Sequence, residues 1–242
     1  MYKYRPFYQL VFFVNHNVAP SPDILSSLLS GYGGFTPCPV NAGTVLLKDD
    51  SKMREIVFEP EKISITEYFK YGIPEIPGDD VRRKFTWYAV DALNIFYDLT
   101  DAVDNSCPGY RMGLVTRLFF EGTGKDRLDG MAERFVHVPG THRENMPCEW
   151  SVRQCSRDRF LISDREEIVN AVSTVGRSQG FFNMSDSTHK DFDSIDIMCD
   201  FNTSQHSHRQ RFSARDAEDF LLNSAFVWVD KMERETEETV RG

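Results

Sequence analysis

The sequence predicts an α+β protein made of two halves, residues 1–122 and 123–242, each a β-α-β-β-α run whose antiparallel sheet is covered by a long helix. Three observations carry that prediction. Short runs rich in Val, Ile and Phe are separated by turn residues, two stretches opening near Asp79 and Ser213 repeat apolar residues at helical spacing, and the order of elements recurs. The halves can pack as one domain, because 242 residues lie between one large domain and two small ones of ~100–200 residues each.

Phe7 to Val14 is apolar at odd and even positions alike, so a strand there buries both faces and belongs in the middle of a sheet. Ser21 caps a short helix with Pro22 at its first position and Ile24, Leu25, Leu28 and Leu29 as its buried stripe, and Gly31, Gly33 and Gly34 stop it. Thr44 to Lys48, Arg54 to Glu59 and Lys62 to Tyr68 follow as an antiparallel meander, since the residues between them are turn chemistry. After Pro74, Pro77 and Gly78, the acids Asp79 and Asp80 open a long helix in which Val81, Phe85, Tyr88, Ala92, Phe96 and Leu99 share one side. Cys107-Pro108-Gly109 ends the segment, and Tyr110 to Glu121 reads as a long strand.

In the second half a helix is expected over Lys125 to Phe135, then a loop through Pro139, Gly140 and Pro147, then a strand from Glu149 to Ser156. Ser163 with Glu166 three residues on has the form of a capping box, so a helix carrying Ile168, Val169, Val172 and Val175 is expected, closed by Gly176. Phe181 to Met184 and Ser194 to Phe201 are strands, the second alternating Ile195, Ile197, Cys199 and Phe201 with mostly polar residues. Ser213 with Asp216 caps a final helix whose stripe includes Ala217, Phe220, Leu221, Ala225 and Trp228, and whose charged tail, Glu233 to Arg241, is expected to fray. The first half's closing strand completes the β-α-β-β-α-β order of a ferredoxin-like unit.

Composition narrows the functional classes. With 40% hydrophobic and 27% charged residues the chain has the means to fold. The 28 basic against 37 acidic residues leave a net charge of -9, which disfavours nucleic acid as a direct partner. Arg82, Arg83 and Lys84, and again Arg153, Arg157, Arg159 and Arg165, can form a local basic face or an ordinary solvated surface. Cysteines at 38, 107, 148, 155 and 199 form an odd set read as reduced thiols. No stretch approaches the ~20 apolar residues of a membrane span. The run Phe7 to Val14 is too short, is broken by Gln9 and lacks a cleavage site for a signal peptide. The cytoplasm is the expected location, without a membrane.

The apolar opening strand before Val18-Ala19-Pro20, the strand Tyr110 to Arg117 after the long helix, and the Phe212-Ser213 start of the last helix together resemble a sporadically distributed prokaryotic α+β family of roughly this length, often encoded near mobile or defence genes. The resemblance covers most of the chain, is loose between Gly122 and Trp150, and brings no established active site. A pair of ferredoxin-like units also resembles the scaffold of CRISPR repeat-processing endonucleases. Those end in a glycine-rich loop that holds RNA, whereas this chain ends in an acidic helix.

Several residue groups are candidate sites. His189, Asp191 and Asp193, with Asp186 and Asp196 nearby, could hold a divalent cation, or form a solvated acidic loop. His206, His208, Arg209 and Arg211 could receive an anion just before the last helix, or form an exposed turn. His137, His142, Cys148 and Cys155 could in principle bind zinc, without the tight pairing of zinc knuckles. His16 is the lone candidate general base for an RNA-cleaving reading. Gly122-Thr123-Gly124-Lys125 lacks phosphate-loop spacing, and no cofactor motif is recognised. With no catalytic constellation, the leading expectation is a non-enzymatic adaptor or regulatory subunit that binds another protein, encoded nearby, using a sheet face or bulky anchors such as Trp87, Tyr88, Trp150 and Trp228. The resemblance implies an accessory role in a prokaryotic defence system, of CRISPR type, as one setting for it. An RNA-processing endonuclease or other nucleic-acid-binding protein of such a system is the alternative, and a binder of a small anion ranks third.

Overall fold

The computed structural model describes residues 2–14, 34–41, 43–70, 79–101, 109–142, 144, 146–183, 188–205 and 211–242. Their strands form one nine-stranded antiparallel sheet. At its middle, β1 (Tyr2–Phe13) is flanked by β5 (Lys62–Tyr68) and β6 (Arg111–Glu121). From β5 the sheet runs outward through β4 (Arg54–Glu59) and β3 (Thr44–Asp49) to β2 (Thr36–Asn41). From β6 it runs the other way through β9 (His189–Thr203) and β8 (Arg165–Asn183) to β7 (Trp150–Ile162).

Alternation along each strand decides which side chains meet the helices. Tyr8, Leu10 and Phe12 of β1, Met112 and Leu114 of β6, and Ile197, Cys199 and Phe201 of β9 share one buried face. Against it lie α1 (Asp79–Asp101), α2 (Lys125–Phe135), α3 (Ala214–Asp219) and α4 (Phe226–Arg241), with a π-helical turn, Phe220–Ala225, joining the last two. All four contribute to a single apolar cluster, through Phe85 and Phe96, Leu128 and Met131, Ala217, and Phe226 and Val229. Arg82 of α1 pairs with Asp230 of α4 and ties the two long helices together. The opposite face carries no helix among the described residues: Phe7, Val11, Val57 and Val115 are half-buried there, and Met198 is exposed.

This architecture replaces the expected pair of β-α-β-β-α (ferredoxin-like) halves, each with its own helix-covered antiparallel sheet. β6 pairs with β9 from Gly113 opposite Asn202 to Phe120 opposite Ile195, so strands from before and after residue 122 share one sheet. The expected helix over 163–176 is also absent. Ser163 and Asp164 form a tight turn with φ of 45° and 63°, the conformation a two-residue hairpin requires, and residues 165 to 176 run as the first part of β8. Ile168, Val169, Val172 and Val175 satisfy helical spacing, but β-branched side chains lose less freedom on a pleated surface. As a strand between β7 and β9 the segment pairs on both sides. Glu166, expected to reach back to a cap, instead pairs with Arg159 across the hairpin.

Other elements fall where expected. The meander and α2 keep their predicted bounds within a residue, and Ser213 and Asp216 form a reciprocal capping box at the start of α3. The tail expected to fray is docked: Glu233, Thr236 and Val240 are buried, and Lys3 pairs with Glu237 at 2.7 Å. The helix expected from Ser21 lies outside the described residues. Among the described residues no helix is long and apolar enough to cross a membrane.

Candidate functional site

The two ends of the sheet are built differently. β2 is six residues long and holds Pro37 and Pro39, which remove donors from its edge. β7 is 13 residues long, contains no proline, pairs with β8 along its whole length, and has no strand on its other side among the described residues. Its hairpin is held at both ends. At the turn, the Ser163 N–H donates to Asp219 Oδ2 at 2.7 Å and Arg165 pairs with Asp216 at 2.7 Å, fastening the hairpin to α3. At the start, Gly176 lets the strands close up, since a Cβ there would lie 2.6 Å from the Trp150 carbonyl oxygen.

Register with β8 places Ser151, Arg153, Cys155, Arg157, Arg159 and Leu161 on the helix-free face. Residues 153 to 159 are all exposed. Arg157 donates to Asn170 Oδ1 at 3.1 Å, Arg159 shares Glu166, and the Arg153 side chain has no ion-pair or hydrogen-bond partner among the described residues. A row of guanidiniums, two of them without a carboxylate, therefore lies along a backbone edge whose outward N–H and C=O groups face solvent.

Behind this row, on the same face, a cleft of ≈ 630 Å³ includes Arg117, Thr174, Ser178, Asp196 and Met198 in its lining. Arg117 donates to Asp196 at 2.7 Å and to Ser178 at 3.2 Å, and the Ser178 hydroxyl donates to Asp196 at 2.6 Å. These groups satisfy one another and hold the Arg117 guanidinium over the Phe119 ring at 4.6 Å.

The residues singled out in the sequence disperse. His189, Asp191 and Asp193 alternate on one face of β9, but Asp193 is gripped by Arg177, whose Nε and Nη2 reach its two oxygens at 2.8 Å. That guanidinium holds the Asp193 carboxyl below the usual carboxylate range. Arg177 also donates to Asp129 at 2.6 Å. His189 packs edge-on to Phe181 at 5.9 Å, and Asp191 is exposed. Among the described residues no group of three or more His, Cys, Asp and Glu side chains could hold a metal, and that holds also for His137, His142, Cys148 and Cys155, all four of them exposed. His206, His208 and Arg209 lie outside the described residues, as does His16. Arg211 is engaged structurally, donating to Glu167 at 3.0 Å and to the Tyr110 carbonyl at 2.9 Å.

Of the bulky anchors, Tyr88 is core and donates to the Glu55 carbonyl at 2.8 Å, while Trp150 stacks on Phe135 and Trp228 on Phe201. Trp87 alone is well exposed. What the sequence reading missed is the β7 edge. The signal was there: from Trp150 to Ile162 no residue breaks a strand, and the three arginines at 153, 157 and 159 have equal parity.

Fold and surface together define a class: a single antiparallel sheet, helix-covered on one face, ending in an unblocked basic edge. The chain matches no protein-family profile and no curated protein sequence.

Proposed function

We propose that the protein is a non-enzymatic binding module, an adaptor or regulatory subunit, that takes up a partner protein along the free edge of β7. The observation that carries this reading is the edge itself, 13 residues paired on one side and exposed along its centre. Such a strand offers a ready ladder of backbone donors and acceptors to an added strand. Sheets that have no use for that property block it, as the prolines of β2 do. The fastening of the hairpin to α3 supports the reading, because a docking edge must be rigid before its partner arrives. We place the protein in the cytoplasm, a reading supported by the free state of Cys38, Cys148, Cys155 and Cys199.

Neighbouring residues of a strand direct their N–H groups to opposite sides. One of Cys155→Pro and Ser156→Pro therefore removes an outward donor while the other breaks the ladder to β8. The wild-type protein, isolated from its native host, should carry a stoichiometric partner, and the proline variant that keeps the wild-type melting temperature should lose it. Isolation of the wild-type protein alone at every stage, or retention of the partner by that variant, would refute the reading.

A further inference from the structure

We infer that the segment received by β7 is an acidic, extended polypeptide, with carboxylates at the alternate positions that face Arg153, Arg157 and Arg159. The inference rests on β7 being a docking edge and adds the chemistry of its occupant. All three arginines share the helix-free face of the sheet, so an added strand places its own same-face residues directly opposite them. Arg153 has no ion-pair partner among the described residues, and Arg157 has an amide rather than a carboxylate, so both retain their charge for an incoming group. Arg159 already has Glu166, which makes positions 153 and 157 the stronger determinants. In antiparallel pairing the occupant, read from its N-terminus, is acid, one residue, acid, three residues, acid. An apolar residue two places before the first acid would cover Leu161, which is 62% exposed.

A second copy of this chain fits poorly for the same reason. Antiparallel self-pairing centred on Cys155, Ser156, Arg157 or Asp158 would set Arg153 against Arg157, Arg153 against Arg159, Arg157 against itself, or Arg157 against Arg159. These four registers bring like charges face to face. Single-stranded RNA would find the charges but no stacking surface, because this face of β7 carries Ser, Arg, Cys and Leu and no aromatic ring. A polypeptide strand matches both the charges and the backbone ladder.

The test uses the full chain with a synthetic peptide bearing glutamate at alternate positions among threonine and valine, beside the same peptide with lysine in place of glutamate. Affinity is read by fluorescence anisotropy, and amide hydrogen exchange locates the contact. The glutamate peptide should slow exchange across residues 150–162 and bind roughly tenfold or more tighter than the lysine peptide. The double variant Arg153→Glu, Arg157→Glu, whose changes are on the surface and whose melting curve verifies folding, should invert that preference. Equal binding of both peptides with β7 protected would overturn the acidic occupant and leave the docking edge standing. Failure of both peptides to protect β7 would overturn the docking edge itself. Concentration-dependent dimers with β7 protected would assign the edge to a second copy. Tighter binding of oligouridylate than of the glutamate peptide, lost in the same double variant, would assign the arginines to RNA.

Discussion

Replacing Glu233 by alanine should cost roughly 3–5 kcal/mol, because of what it leaves behind. Pro6 cannot donate to a ladder, and the pairing of β1 with β6 slips between Tyr4 and Phe7. The irregularity turns Arg5 onto the helix-covered face, where its side chain is 2% exposed. There Nη1 and Nη2 donate to the two carboxylate oxygens of Glu233 at 2.9 and 2.7 Å, and Nη1 also reaches Thr116 at 2.7 Å. The guanidinium sits 4.5 Å from the centre of the Tyr8 ring. Arginine cannot escape by losing its proton, so deletion of the carboxylate strands a full charge in the interior. Urea unfolding should show a lowered midpoint at an unchanged slope. At ~2–4 °C per kcal/mol for a chain of this size, the melting temperature should fall by roughly 6–20 °C. Arg5→Met combined with Glu233→Leu should recover most of the loss, since two apolar side chains need no counter-charge. A loss below ~1 kcal/mol, the scale of a surface ion pair, or a double variant as unstable as the single one, would refute the reasoning.

The Arg177–Asp193 pair predicts a pH dependence. The folded carboxyl lies below its ordinary value, so its contribution to stability is complete above the unfolded value of ~3.9 and is lost as pH falls through the folded one. Asp193→Asn should lower the urea midpoint at about pH 7 and lose less than wild type on acidification to about pH 3; equal acid sensitivity of the two proteins would contradict the pairing. Gly176→Ala places a methyl group 2.6 Å from the Trp150 carbonyl oxygen and 3.2 Å from the Ser151 Cβ. It should part the start of the hairpin at a cost of about 1–3 kcal/mol, with faster hydrogen exchange at residues 150–152, and an unchanged midpoint would refute the close approach.

Much of the fold was legible because it is local. The meander from Thr44 to Tyr68 is written in alternating apolar residues and turn chemistry, and α1 and the cap at Ser213 in helical periodicity and capping residues. The segment 163–176 was misread because its apolar residues satisfy two periods at once, and its Ser-x-x-Glu pattern forms a hairpin turn and a cross-strand ion pair as readily as a cap. What chose the strand is tertiary: β7 on one side and β9 on the other. The pairing of β6 with β9, which merges the halves, joins residues far apart in sequence and leaves no local trace. The arginines at 153, 157 and 159 were visible as a cluster, but a strand ending at Ser156 puts only the first of them on a sheet face. Extension to Ile162 aligns all three.

Charge on an exposed edge has a simpler use, since it discourages edge-to-edge aggregation. On the proposed reading the arrangement on β7 serves more than that. A barrier against aggregation works with charge on either face of the strand, yet the three arginines lie on one face, while the opposite face presents Gln154, Ser156 and Asp158. The same residues that set two copies of this chain against each other therefore present no obstacle to a strand of opposite sign. An edge that excludes itself by repulsion and admits a complement by attraction gains selectivity from both terms of one difference. On the proposed reading, that is why the sheet blocks β2 with proline and leaves β7 open.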